Sequence, residues 1–115
     1  MKSGKTWGDT MVIFRDGHCE VHRISIVKGG FCSNHRHQTK SNLFYVESGK
    51  LKIIVKKNDY DLTDETIVGP GEVTSVPPGE VHRFEALEDT IAFEVYFVTL
   101  DAGDIVREDN GGVRG

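Results

Sequence analysis

The feature that most constrains this chain is its punctuation: short runs of Val, Ile, Phe and Thr, cut repeatedly by glycine or proline. Met11 to Phe14 is a brief apolar run, and Val21 to Val27 is rich in β-branched residues and stops at Gly29-Gly30. Leu43 to Val46 closes at Glu47-Ser48-Gly49. Leu51, Ile53 and Val55 then alternate with Lys52 and Lys56, the two-residue period of a strand with one wet face. Ser48-Gly49-Lys50 predicts a hairpin between these last two runs, and Lys57-Asn58-Asp59 a turn after them. Thr66 to Val68, Val73 to Val76, Val81 to Phe84 and Ile91 to Leu100 follow, divided by Pro70-Gly71 and Pro77-Pro78-Gly79. A single turn in the polar tail after Asp101 is the most helix this pattern allows. Many short strands between Gly and Pro turns close into a sandwich or a barrel, so the expected class is all-β.

A length of 115 residues leaves room for one domain, 1–115, with a polar tail from about residue 101. So small a core is often stabilised by pairing with a second copy, and a homodimer is expected through the outer strands. Trp7 and Met11 to Phe14 are the candidate contact, Trp7 being equally placed to act as an internal lid. The net charge of −4, with no basic stripe, argues against nucleic acid and acidic membrane surfaces as partners. Met1 to Asp9 is polar and reads as no secretory signal, and no apolar run is long enough to span a membrane. Cys19 and Cys32 form no C-x-x-C pair, which fits two reduced thiols in a cytoplasmic protein, Cys32 serving mainly to pack.

The chemistry concentrates in three histidines. Residues two apart in a strand point to the same side, so His35 and His37 can face one point together. His82, delivered by the rigid Pro77-Pro78-Gly79 turn, can reach that point from a neighbouring strand. Three neutral imidazoles suit Zn, Fe, Ni, Cu or Mn and leave positions open for water or substrate. Asn42 can add an amide oxygen, a weaker and neutral ligand. His18 and His22 stand apart and are read as surface residues.

These residues fall into a two-part pattern. Gly29 precedes His35-Arg36-His37 by five residues, Asn42 follows, and Gly49 closes the first half; Gly71, Pro77, Gly79 and His82 make the second. The pattern resembles the signature of the cupin superfamily in every glycine, the proline and all three histidines. Asn42 stands where that family has glutamate, and Ala86 where it often has asparagine. The resemblance implies a double-stranded β-helix, or jelly-roll barrel, with the metal at its mouth. The glutamate's absence leaves a site one negative charge poorer, which holds metal less tightly but makes a bound ion a stronger Lewis acid.

The ends of the chain narrow the likeness. Lys5-Thr6-Trp7-Gly8 and the tail from Gly103 to Asp109, with Val113-Arg114-Gly115, resemble the opening and closing segments of the cupin domain of type II mannose-6-phosphate isomerases. That domain often follows a mannose-1-phosphate guanylyltransferase domain. Lys40-Ser41-Asn42-Leu43-Phe44 departs from that family's Arg-Ala-Glu-His-Trp, and His35 stands where it commonly has glutamine.

The resemblance implies isomerisation of a sugar or sugar phosphate at a divalent metal. His35, His37, His82 and Asn42 would hold the ion, Zn, Fe, Mn or Ni. Lys40, Arg107 and Arg114 would attend an anionic substrate, a guanidinium fork suiting phosphate oxygens. Glu80, beside His82, and Glu94, on the last strand, are candidate bases. Two alternatives stay open at this point: a three-histidine iron dioxygenase, and a non-catalytic module that binds a small molecule such as a sugar.

Overall fold

A computed structural model describes residues 2–57, 62–98 and 103–115. Nine strands run in chain order: β1 (Lys2–Lys5), β2 (Gly8–Arg15), β3 (Cys19–Ile26), β4 (Ser41–Ser48), β5 (Leu51–Lys57), β6 (Leu62–Val68), β7 (Val73–Val76), β8 (His82–Ala86) and β9 (Thr90–Phe97). Among the described residues there is no helix, and none therefore long and apolar enough to cross a membrane. Six strands form one antiparallel sheet in the order β1-β2-β3-β9-β4-β7, and three form the other, β6-β5-β8. This is the all-β class that the turn pattern predicted and the jelly-roll that the cupin resemblance implied.

The expected hairpin does not form. β4 pairs with β7 and β9, whereas β5 pairs with β6 and β8, so the turn at Ser48-Gly49-Lys50 carries the chain from one sheet to the other. Its polar groups turn to the β8–β9 connection instead: Lys50 N donates to Thr90 Oγ1, and Leu87 N donates to the Lys50 carbonyl. Gly49 has a φ of 90°, and a Cβ there would run into the Asp89 carbonyl. The left-handed backbone and this close approach both demand glycine. Strand β1 carried no apolar signal because all four of its residues are exposed on the sheet's edge. The expected turn at Lys57-Asn58-Asp59 and the end of the run at Leu100 lie partly outside the described residues.

Alternation puts every second residue of each strand inside, and cross-strand pairs share a face. On the larger sheet, Ile24, Ala92 and Val46 pair across β3, β9 and β4 as one fully buried inner row. The next row is His22, Glu94 and Phe44, and the one beyond it is Glu20, Tyr96, Asn42 and Val76. On the smaller sheet the rows run Val68–Leu51–Ala86, then Ile53–Phe84, then Val55–His82. Both inner faces thus pass from apolar to polar along the same direction. The apolar end is the core, in which Phe44, Ile24, Leu51 and Ile53 are at most 2% exposed. The polar end is the mouth.

Candidate metal centre at the barrel mouth

The segment between β3 and β4 is not a strand, but it lies along the free edge of β8. Cys32 N donates to the Phe84 carbonyl, and His35 and His82 exchange both backbone hydrogen bonds. His35 is therefore fixed opposite His82. Gly79, in the Pro-Pro-Gly turn, donates its N–H to the His37 carbonyl at 2.7 Å and ties down the third histidine. The His35 ring centroid lies 5.1 Å from that of His37 and 4.6 Å from that of His82. One potential ligand nitrogen from each lies within 4.8 Å of the other two.

The ring hydrogen bonds select the free nitrogens. His35 Nδ1 donates to the Ser33 carbonyl at 2.8 Å, and His82 Nδ1 donates to the Glu80 carbonyl at 3.0 Å. A carbonyl only accepts, so each Nδ1 carries the proton and each Nε2 keeps a lone pair, as metal-ligating histidines usually do. His37 Nε2 is buried with no partner, and so is Asn42 Oδ1. The orphaned buried nitrogen of His37 beside two oriented imidazoles fits a divalent ion, which would satisfy it. Burial, helped by the neighbouring His35, Lys40 and His82, pushes the His37 pKa down to about 4. Burial likewise lowers that of His82, against the pull of the Glu80 carbonyl. Both rings are thus neutral at ordinary pH, the form that binds metal.

Asn42 is fully buried on β4. Its Nδ2 donates to Glu94 Oε2 at 3.0 Å and lies 3.4 Å from His82 Nε2, so the amide borders the cluster. Glu94, 7% exposed, reaches the mouth from β9. It lines a cavity of about 420 Å³ together with His35, Trp7, Phe31, His22 and Tyr96. Burial first, and then Glu94, push the Tyr96 hydroxyl far above the usual tyrosine range, so it stays a neutral hydrogen-bonding group.

The remaining sequence candidates lie elsewhere. Glu80 turns its carboxylate to Lys57 at 3.0 Å and serves the histidines through its carbonyl. Lys40 sits over the Tyr96 ring, 4.2 Å from its centroid. It lines a smaller cavity of about 190 Å³ with Asp16, His18 and Glu20. Arg107 and Arg114 are exposed in the tail, 103–115, and neither lines the histidine cavity. His18 is exposed as expected. His22 is not a surface residue: its side chain is 14% exposed and faces the cavity. Its place two residues before buried Ile24 was the signal for this. Trp7 packs edge-on against Phe84 at 5.0 Å, part of the cavity wall.

A search of curated proteins found no match to this chain. Solved structures resemble it closely in shape. KdgF from Halomonas sp. superposes with a TM-score of 0.73 at 14% identity, covering 88% of each chain. A cupin superfamily protein from Desulfitobacterium hafniense gives 0.69 at 12% identity, over 86% of this chain and 84% of that one. The capsular polysaccharide assembling protein CapF from Staphylococcus aureus gives 0.73 at 26% identity, over 90% of this chain but 30% of CapF. The cupin-domain family model matches residues 22–99, from the cavity histidine of β3 through β9, and the chain belongs to the cupin domain family.

Proposed function

We propose that this chain is a metal-dependent cupin acting on a small sugar or sugar phosphate, by proton transfer between adjacent carbons that interconverts aldose and ketose. The observation that carries the reading is the buried carboxylate of Glu94 in the same cavity as the metal-site histidine His35. A divalent ion held by His35, His37 and His82 would polarise the sugar carbonyl and stabilise the charge that develops on its oxygen. Glu94 accepts the carbon-bound proton and returns it to the neighbouring carbon, while Asn42 and Tyr96 orient it. Trp7 and Phe31 offer aromatic surface to the C–H face of a sugar, and Lys5 brings a positive charge to the rim for an anionic group. The likeness to CapF, named for capsular polysaccharide assembly, and the sequence resemblance to mannose-6-phosphate isomerases both support a carbohydrate ligand.

The reading includes a homodimer in the cytoplasm. The outer face of the larger sheet carries the apolar pairs Phe14–Val21, Leu43–Val95 and Tyr45–Phe93, with Phe14, Tyr45 and Val73 well exposed. This face suits the same face of a second copy.

The test is elemental analysis of wild type beside His37→Ala, followed by interconversion of mannose 6-phosphate and fructose 6-phosphate by metal-loaded wild type and Glu94→Gln. Metal lost in His37→Ala and turnover lost in Glu94→Gln are the expected results. No metal after incubation with a panel of divalent ions, or no turnover of any aldose–ketose pair with metal bound, overturns it. A sugar that raises the melting temperature without being turned over marks a binding module instead.

A further inference from the structure

His22 is the cavity's unassigned group. It stands directly opposite Glu94 in the β3–β9 register, so an imidazole and a carboxylate sit side by side on the inner face. Neither belongs to the histidine cluster. The ring is held on both edges. Its Nε2 lies 3.0 Å from Glu20 Oε2, and its Nδ1 lies 3.4 Å from the hydroxyl of Thr10, which also lines the cavity. Glu20 is itself anchored, since Arg15 Nε meets its other oxygen at 3.1 Å. Tyr96 packs edge-on against the ring at 5.6 Å. Arg15, Glu20 and His22 thus form a chain from the rim inward, with the carboxylate fixing the imidazole's orientation. The Thr10 contact is too long for a strong hydrogen bond, so Nδ1 is the edge a ligand hydroxyl can engage.

We propose that His22 is a second acid–base residue of this cavity, oriented by Glu20, which moves the hydroxyl proton of a polyhydroxylated ligand. The inference rests on the isomerase reading and completes its proton balance. In an aldose–ketose interconversion one C–H bond breaks and another forms on the adjacent carbon, and Glu94 carries that proton. The hydroxyl oxygen of the first carbon becomes the carbonyl and sheds its proton, while the former carbonyl oxygen gains one. His22 takes the first and delivers the second, so no external oxidant, reductant or net proton is required. Glu20 is a positioning residue that acts through His22.

The experiment uses the full chain loaded with manganese or zinc, with fructose 6-phosphate in D₂O as probe. It compares wild type, His22→Asn, His22→Gln and Glu20→Gln by metal content, by NMR-detected deuterium incorporation next to the carbonyl, and by conversion to the aldose. The His22 variants are expected to keep wild-type metal content and deuterium incorporation but to lose conversion at least about 100-fold, the usual worth of a positioned acid–base group. Glu20→Gln is expected to lose conversion in part and to shift its pH profile. Conversion at the wild-type rate in either metal-replete His22 variant overturns this proposal and leaves the isomerase reading standing. Wild type that neither exchanges nor converts any aldose–ketose probe overturns both.

Discussion

Replacing Asn42 with aspartate tests the centre at its most unusual position. The side chain is fully buried, and its Nδ2 donates to the carboxylate of Glu94 at 3.0 Å. Asn42→Asp removes that donor, a hydrogen bond to a charged group worth about 1.5–3 kcal/mol. It also sets one carboxylate against another at nearly the same separation, a repulsion of about 5 kcal/mol at an effective dielectric constant of 20. Rotation of the two side chains relieves part of this, so a loss of about 3–5 kcal/mol is expected in the metal-free protein, comparable with breaking a buried charged pair. Against a typical total of about 5–15 kcal/mol for a domain, that is a large fraction of the stability.

Metal offsets part of this loss. The new carboxylate lies against His82 Nε2, where Asn42 Nδ2 sits at 3.4 Å, and supplies the anionic ligand the wild type lacks. Affinity should rise at least about tenfold, which adds about 1.4 kcal/mol of stabilisation at saturating metal over that seen in wild type. Urea denaturation followed by fluorescence of the single Trp7, in chelator and in excess zinc, measures both terms. Asn42→Leu is the control: it should lose stability without the gain in affinity. A metal-free Asn42→Asp protein as stable as wild type would show that Glu94 does not face residue 42. Equal stabilisation by metal in both proteins would show that residue 42 does not reach the ion.

Other outcomes follow from single contacts. Phe44→Ala opens the centre of the core beneath the His82 and Phe84 rings and should cost about 3–5 kcal/mol, read from the same denaturation curves. Burial, opposed by the Phe84 N–H, raises the Cys32 thiol to about 11, so at pH 8 roughly one molecule in a thousand carries the thiolate there. Mass spectrometry of iodoacetamide-treated native protein should find Cys32 alkylated far more slowly than in urea, and equal rates would contradict its packing. The unfolded chain ionises this group at a lower pH than the folded one, so its contribution lowers stability as pH rises from about 9 to 11. Tyr45→Lys combined with Val73→Glu, on the exposed outer face, should convert a sedimenting dimer to monomer at micromolar concentration without changing metal content. A wild type that sediments as monomer would refute that interface.

The sequence exposed the strands and the three clustered histidines because both follow from local rules, and it hid what depends on long-range pairing. Alternation in Leu51, Ile53 and Val55 is a two-residue rule, and the rigid turn before His82 is a local one. The turn at Gly49 was equally visible, but a turn does not say which sheet receives the next strand. β9 sits between β3 and β4, and that placement, absent from any short window, turns the expected hairpin into a crossover between sheets. The same placement makes the cavity. It sets Glu94 beside His22 and Tyr96 beside Asn42, pairs separated by 72 and 54 positions along the chain. His22 is hidden for a different reason: a histidine between Val21 and Arg23 looks solvated until Ile24 and Ile26 show which face of β3 points inward. Applied to all the strands, that parity argument predicts the location of the chemistry without any motif. The inner residues turn from Ile, Val and Leu to His, Glu, Asn and Tyr at one end of both sheets. A barrel that gathers its inward-facing His, Glu and Asn side chains at one end must satisfy them there, by mutual hydrogen bonds, by a metal ion or by a ligand.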